Sequence, residues 1–121
     1  MPHILIIDDD ITTRRFLQSV LEGEQHTVFT ADNGISGTRI YRQEIIDLVI
    51  LDLLMPERDG IDILRDLRAN NPQTKIIVIS GAARELLDVI KEIGADSTIS
   101  KPIKAKELIE QVNQLLPASQ A

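Results

Sequence analysis

Short apolar runs rich in Ile and Val alternate along this chain with segments whose apolar residues recur at helical spacing. This alternation is typical of a parallel sheet covered by helices. The pattern predicts strands at residues 3–8, 27–31, 48–52, 75–80 and 97–100. It predicts helices between and after them, at residues 12–22, 34–43, 61–69, 84–93 and 104–116.

Residues that interrupt helices support several of these boundaries. An Asn-Asn-Pro sequence at 70–72 ends the third helix, Gly94 stands where a C-terminal cap belongs, and Pro102 separates the last strand from the last helix. The second helix is the weakest prediction, because Gly37 lies inside it. No repeat or linker composition breaks the pattern, so residues 1–121 are expected to form one domain.

The third predicted strand, preceded by Asp47, reads Leu-Val-Ile-Leu-Asp without polar alternation. Both of its faces should therefore be buried, at the centre of the sheet. In open parallel sheets, ligands bind outside the carboxyl ends of the strands, where the strand order reverses. Function should be sought at that edge, where four predicted strands deliver polar residues: Asp8, Asp9, Asp10, Asp52, Ser80 and Lys101.

Composition excludes several classes of function. A formal net charge of -6 and a pI of about 4.8 argue against a nucleic-acid surface. One Tyr and two Phe are too few for a base-stacking platform. No apolar run is long enough to span a bilayer, and the basic, apolar start of a signal peptide is missing. We therefore expect a cytoplasmic protein that binds neither nucleic acid nor membrane.

The residue types also restrict the metal chemistry. The chain has no cysteine, and His3 and His26 have no partner at ligand spacing, so both histidines are predicted to lie at the surface. Carboxylates gathered at one edge repel one another unless a cation neutralises them. Mg²⁺ suits such a site, because it binds oxygen ligands, including one or two carboxylates, and keeps room for a phosphoryl oxygen.

These residues suit phosphoryl transfer to a carboxylate. An aspartate can attack phosphorus while a metal and a lysine neutralise the charge on the transferring oxygens. Lys101 supplies the ammonium, Ser80 can donate its hydroxyl to a phosphoryl oxygen, and Gly81 lets the backbone approach closely. Asp52 is the candidate nucleophile, because a charge at the end of a buried strand is costly without a partner.

Taken singly, the same residues have simpler interpretations. Aspartates after a strand often cap the next helix, as is predicted for Asp10. For Asp8 and Asp9 taken alone, capping and a functional role are equally good interpretations. Alone, Lys101 fits a solvated lysine and Ser80 a turn residue. Their joint placement on one edge favours a functional site.

Four segments resemble the motifs of response regulator receiver domains, which serve two-component signalling. They are Ile-Leu-Ile-Ile-Asp-Asp-Asp at 4–10, Leu-Asp-Leu-Leu-Met-Pro-Glu-Arg-Asp-Gly at 51–60, Ile-Ser-Gly-Ala at 79–82 and Ser-Lys-Pro at 100–102. They occur in the family's order and span essentially the whole chain. The resemblance implies a flavodoxin-like (βα)5 doubly wound α/β fold with a parallel five-stranded sheet of order 2-1-3-4-5.

The resemblance also implies the chemistry. Asp52 would accept a phosphoryl group from a phosphohistidine donor, either a histidine kinase or a histidine phosphotransfer protein. The domain would then switch the binding of a downstream protein target or output domain. Ser80 and Lys101 would hold the phosphoryl group, and the bond between Lys101 and Pro102 would be cis, which aims the lysine inward. The implied Mg²⁺ ligands are Asp9, Asp52, the backbone carbonyl of Leu54 and, through water, Asp8.

One position departs from the family pattern. The family usually has Tyr or Phe three residues before the lysine, and this chain has Thr98. Because threonine has no ring to swing inward, the usual switch at the fourth and fifth helices and the fifth strand is in doubt. We expect the signal to be read instead through shifts of residues 80–84.

Two further expectations concern residues around the site. Leu54 and Ala82 are apolar and cannot orient a hydrolytic water, so slow autodephosphorylation is expected. The first helix is expected to dock the phosphohistidine donor through Thr13 and Leu17, whereas Phe16 is interpreted as more often core than interface, at helical spacing from Val20.

The sequence is also compatible with other functions. The absence of a second domain favours a receiver that acts alone, but the chain also fits a receiver cut from a larger regulator or hybrid kinase, with residues 117–121 starting a linker. An aspartyl phosphatase resembling haloacid dehalogenases needs a second Asp where Leu54 stands. A phosphorylation-independent interaction module gains weight from Thr98 and loses it to the intact acidic site.

Overall fold

The computed structural model describes residues 2–53, 60–81 and 85–116, except for the side chains of residues 85–87. Within these residues, five strands form one parallel sheet in the order β2-β1-β3-β4-β5. This order confirms the predicted fold. The strands are β1 (His3–Ile7), β2 (Thr27–Ala31), β3 (Leu48–Asp52), β4 (Lys75–Ser80) and β5 (Ser97–Ser100).

Helices cover both faces of the sheet. In the described ranges they are α1 (Ile11–Gly23), α2 (Gly34–Gln43), α3 (Gly60–Asn70), α4 (Glu85–Ile93) and α5 (Ala105–Leu115). α1 and α5 bury apolar residues on one face, and α2, α3 and α4 do so on the other. None of these helices has the length and apolar character needed to cross a bilayer.

β3 lies at the centre of the sheet, as its unbroken apolar sequence predicts. It pairs with β1 on one side and β4 on the other, and all of its residues are buried. Val49 and Leu51 pack on the face covered by α2 and α3, whereas Leu48 and Ile50 pack on the face covered by α1 and α5. Burial on both faces explains why this strand lacks polar alternation.

The predicted strand boundaries agree with the structure except at the end of β1, which stops at Ile7 rather than Asp8. Asp10 has an extended backbone and accepts hydrogen bonds from the amides of Thr12 and Thr13. It therefore caps α1, as predicted, and the helix begins at Ile11. Gly94 ends α4 with a φ of +140°, a conformation that glycine adopts without strain.

The two histidines, predicted to lie at the surface, are only partly exposed, because each is half-buried. The Nδ1 of His3 lies 3.0 Å from the carbonyl oxygen of Ile45, and its ring meets the ring of Phe29 edge-on. The Nδ1 of His26 is buried without a hydrogen-bond partner among the described residues. Both histidines flank strand ends at the amino edge of the sheet, where the packing of chain segments covers them.

Candidate functional site

The predicted site lies where the strand order reverses. β1 is hydrogen-bonded to both β2 and β3, so Ile7 pairs with Ala31 on one side and with Leu51 on the other. The chain leaves β1 for α1 on one face of the sheet and leaves β3 toward α3 on the other. This divergence opens a crevice at the carboxyl ends of β1 and β3, the usual ligand site in such sheets.

Three carboxylates meet in this crevice. One oxygen each of Asp8, Asp9 and Asp52 lies within 4.8 Å of the others. Asp8 and Asp52 are only 1% and 3% exposed, whereas Asp9 is exposed. The Nζ of Lys101 lies 3.6 Å from Oδ1 of Asp52 and brings a positive charge to the cluster. The structure thus brings together residues from three separate predicted motifs.

The electrostatics of the crevice favour a cation. Burial raises the pKa of Asp8 from its ordinary 3.8 to about 6. A hydrogen bond from the Asp10 amide opposes this shift, and repulsion from the Asp52 carboxylate reinforces it. At neutral pH the cluster therefore holds negative charge that Lys101 alone does not neutralise.

The donor set fits Mg²⁺. Oδ1 of Asp8 accepts a hydrogen bond of 2.9 Å from the Asp10 amide, but Oδ2 is buried without a hydrogen-bond partner among the described residues. A buried, unsatisfied carboxylate oxygen is costly unless a cation or water contacts it. The three clustered side chains offer oxygen ligands only, which hard divalent cations prefer. Leu54, whose carbonyl is a predicted ligand, lies outside the described residues.

The loop between β1 and α1 is held by contacts that only the structure reveals. The Asp8 amide donates to the Ala31 carbonyl at 3.1 Å, which continues the β1–β2 pairing by one bond. The Thr13 hydroxyl donates to Oδ2 of Asp10 at 2.6 Å and holds the pKa of Asp10 below its usual range. Arg14 donates from Nη1 to the carbonyl oxygen of Asp8 at 2.8 Å. No sequence motif pointed to this last contact.

A glycine supports the chain beyond Asp52. A Cβ added to Gly60 would lie 2.4 Å from the carbonyl oxygen of Leu53, too close for any side chain. The Gly60 amide donates to that same oxygen at 3.1 Å, so the start of α3 rests directly on the residue that follows Asp52. The family-like glycine at this position is therefore required by close backbone packing.

Ser80 and Lys101 lie on the neighbouring strand ends. Ser80 is buried at the end of β4, and its carbonyl oxygen accepts a 3.1 Å hydrogen bond from the Lys101 amide. The bond between Lys101 and Pro102 is cis, as the resemblance implies. A Cβ at Gly81 would lie 3.9 Å from the Lys101 side chain, which is an ordinary contact. Close approach at Gly81 is therefore not needed in this structure.

Other predicted site residues are only partly covered. Thr98 is half-buried in β5, where it pairs with Val78. Ala82, like residues 54–59, lies outside the described residues. The expected signal path through residues 80–84 also falls mainly outside them, so it stays a prediction.

The prediction that Leu17 docks a partner is wrong. Leu17 is fully buried with Leu21 against the sheet, whereas Phe16 is 38% and Ile11 49% exposed. The sequence therefore predicted the buried face of α1 one residue too early. Leu17 and Leu21 form that buried face, and Phe16 faces outward. Thr13 is half-buried, and its hydroxyl already bonds to Asp10.

Comparisons with known proteins agree with this geometry. Residues 4–113 match the sequence model of the family described as the response regulator receiver domain. The aerobic respiration control protein ArcA of Escherichia coli strain K12 is 35% identical over 116 residues, which cover 95% of this chain and 48% of ArcA. The response regulator receiver protein CpdR of Brucella abortus is 33% identical over 120 residues, covering 98% of this chain and 100% of CpdR.

A solved structure is also similar over nearly its full length. The response regulator protein TrrA from Thermotoga maritima, in complex with Mg²⁺-BeF, is 30% identical with a TM-score of 0.87. The match covers 95% of this chain and 99% of that one. The chain spans about half the length of ArcA and of several other curated relatives that it matches.

Proposed function

Because this chain belongs to the response regulator receiver domain family of two-component signalling, we propose that Asp52 is its phosphoryl acceptor and that residues 1–121 act as one receiver domain. The donor is a phosphohistidine on a histidine kinase or a histidine phosphotransfer protein. The observation that carries the proposal is the carboxylate cluster at the β1–β3 crevice, with Lys101 beside Asp52.

In the proposed reaction, an Asp52 carboxylate oxygen attacks the phosphorus of the donor. A new oxygen–phosphorus bond forms as the phosphorus–nitrogen bond to the histidine breaks, and the electron pair stays on the departing imidazole. Burial of Asp52 keeps bulk water away from the acyl phosphate. The chain is thus a phospho-acceptor that promotes its own phosphorylation.

Asp8, Asp9 and Asp52 are the side chains proposed to hold Mg²⁺, with Asp8 acting through water and the carbonyl of Leu54 completing the set. When bound, the ion supplies positive charge for the phosphoryl oxygens. Oδ2 of Asp8 supports this assignment, because this buried atom has no hydrogen-bond partner in the part of the chain that the structure describes and can accept from a metal-bound water.

Lys101 and Ser80 are proposed to bind the phosphoryl group. The Lys101 ammonium, 3.6 Å from Asp52, neutralises the charge that develops on the transferring oxygens. The Ser80 hydroxyl, at the buried end of the next strand, donates to one of them. Gly81 directly follows Ser80, and Pro102 follows Lys101 through the cis peptide bond that is proposed to aim the lysine inward.

The test is intact-mass measurement after incubation with Mg²⁺ and acetyl phosphate. Wild-type protein should gain one phosphoryl group, which hydroxylamine removes as expected of an acyl phosphate, and EDTA should prevent its formation. Asp52→Asn keeps the shape and removes the nucleophile, so it should gain none. Asp62→Asn, at an exposed position on α3, is the matched control and should be phosphorylated like wild type.

The opposite result would identify a different class of protein. If the folded wild-type protein binds Mg²⁺ but gains no phosphoryl group, the domain is a phosphorylation-independent interaction module. An adduct that persists in Asp52→Asn would place the acceptor elsewhere.

Several finer features stay predictions. The downstream partner is a protein target or an output domain, since ArcA is about twice as long as this chain and CpdR has the same length. The exposed surface of α1, with Ile11 and Phe16, is proposed as the donor-docking surface in place of Leu17. A cytoplasmic location, slow autodephosphorylation and the consequence of Thr98 for switching are predicted from the sequence alone.

A further inference from the structure

Arg14 extends from the end of the first turn of α1 back to the loop that carries Asp8, Asp9 and Asp10. Its Nη1 donates a 2.8 Å hydrogen bond to the carbonyl oxygen of Asp8, and the contact is partly buried. This carbonyl belongs to the peptide unit that joins Asp8 to Asp9. Arg14 thus fixes the orientation of the peptide between two carboxylates of the cluster.

The two aspartates are not held equally. Asp8 is anchored by its own amide, which donates to Ala31, and by Oδ1, which accepts from the Asp10 amide. The carboxylate of Asp9 is exposed and has no hydrogen bond with the part of the chain that the structure describes. Its direction therefore depends on the backbone on either side. The Asp10 cap fixes the following side, and Arg14 fixes the preceding one.

We propose that Arg14 is a positioning residue for the cation site, which sets the Asp8–Asp9 peptide so that the Asp9 carboxylate points at the metal. This inference rests on the proposed function, because it concerns the same Mg²⁺ site. Loss of a hydrogen bond that orients a metal ligand commonly weakens metal affinity by about ten- to a hundredfold.

The sign of the effect separates positioning from charge. A guanidinium near a dication site repels the ion, so loss of its charge alone would tighten Mg²⁺ binding. Loss of the hydrogen bond would instead free the peptide and weaken binding. Arg14→Met removes both the charge and the hydrogen bond, whereas Arg14→Lys keeps the charge and one donor.

Arg15 provides the matched control. It is the next residue on α1, carries the same charge, is exposed, and has no hydrogen bond or ion pair with any described residue. Arg15→Met therefore makes the same change of net charge without removing a contact to the loop.

In the experiment, the full chain is titrated with Mg²⁺ alone. Binding is monitored by calorimetry and by the NMR signals of the backbone amides of Asp9 and Asp10. Arg14→Met should weaken binding about tenfold, the lower end of the range for residues that orient metal ligands. Arg14→Lys should lie between this variant and wild type, and Arg15→Met should stay within about twofold of wild type. Equal affinities for Arg14→Met and Arg15→Met, or tighter binding by Arg14→Met, would overturn the proposal.

A second readout needs no metal. In EDTA, the Asp10 amide that bonds to Asp8 should exchange its hydrogen faster in Arg14→Met than in Arg15→Met, because the loop is released. Unchanged exchange would also overturn the inference. If wild-type protein fails to bind Mg²⁺, the proposed function fails, while amide exchange still reports whether Arg14 holds the loop. Urea unfolding shows whether each variant is folded. If Arg14→Met does not fold, Arg14→Lys is compared with wild type in its place.

Discussion

The carboxylates at the two edges of the sheet have opposite environments. At the amino edge, Oδ2 of Asp96 accepts hydrogen bonds of 2.8 Å from the Arg68 guanidinium and from the Ile76 amide. Arg68 also donates to the carbonyl oxygens of Gly94, Pro72 and Thr74. At the carboxyl edge, three aspartates crowd together, Lys101 lies 3.6 Å from one of them, and Oδ2 of Asp8 is unsatisfied within the described chain.

This difference separates stability from function. Arg68 and Asp96 satisfy each other and the backbone around them, so their contacts contribute to folding. The cluster of Asp8, Asp9 and Asp52 places like charges side by side, which opposes folding until a cation binds. Such unsatisfied, partly buried charge with a perturbed pKa is typical of functional sites. The residue types alone do not distinguish the two edges, because both use Asp with a basic partner.

The largest effect on stability is expected at the amino edge. Arg68→Met keeps much of the apolar stem but removes the donor of three backbone carbonyls and leaves Asp96 with the Ile76 amide and without its ion-pair partner. The free energy of unfolding, measured in urea, should fall by about 4 kcal/mol. Arg65→Met is the control on the same helix: Arg65 is exposed and lies 3.8 Å from Asp62, so the loss should be below about 0.5 kcal/mol. Similar losses in the two variants would remove the contrast between the edges.

A gain of stability is expected at the carboxyl edge. The pKa of Asp8 is about 6 in the folded protein and near 3.8 when unfolded, so the folded state binds more protons between these values. In EDTA, this group therefore lowers the free energy of unfolding as pH rises from about 4 to 6. Asp8→Asn should be more stable than wild type by about 3 kcal/mol at pH 7, and the difference should disappear below about pH 3.

Mg²⁺ should reverse the order of these two proteins. The ion stabilises wild-type protein by binding its folded state, and Asp8→Asn should benefit less because the site has lost a carboxylate. Urea unfolding at pH 7, with and without saturating Mg²⁺, measures this. A difference between wild type and Asp8→Asn that is independent of pH would show that neither burial nor the neighbouring Asp52 carboxylate raises the pKa of Asp8 in the folded protein.

The smallest effect is expected at Gly37, which packs under the acidic loop. A Cβ added there would lie 2.5 Å from Cδ1 of Ile7, the buried residue before Asp8. Overpacking should outweigh the better helix propensity of alanine, for a net loss of about 1 kcal/mol in Gly37→Ala. Gly23→Ala is the control, because nothing lies within 4 Å of the added Cβ. If both variants are as stable as wild type, Ile7 is free to repack.

Gly37 also illustrates where sequence reasoning was too simple. The low helix propensity of glycine predicts that α2 is a weak helix. In the structure, α2 runs from Gly34 to Gln43, and Gly37 is buried against Ile7. The same limit applies to α1, where helical spacing allowed two phases and only contact with the sheet decided that Leu17, rather than Phe16, is buried. Periodicity identifies a helix, but its rotation about its axis depends on what it packs against.

The sequence by itself determined the alternation of strands and helices, the central place of β3 and the identity of the polar residues at the carboxyl edge. It could do so because apolar periodicity and chain punctuation are local signals. The tertiary structure alone decided that three carboxylates meet within 4.8 Å and that Arg14 holds the Asp8 carbonyl. It also decided that Asp96 pairs with Arg68, whereas Oδ2 of Asp8 has no hydrogen-bond partner within the described ranges. These contacts depend on strand register, helix rotation and loop backbone, which arise only when distant segments pack together.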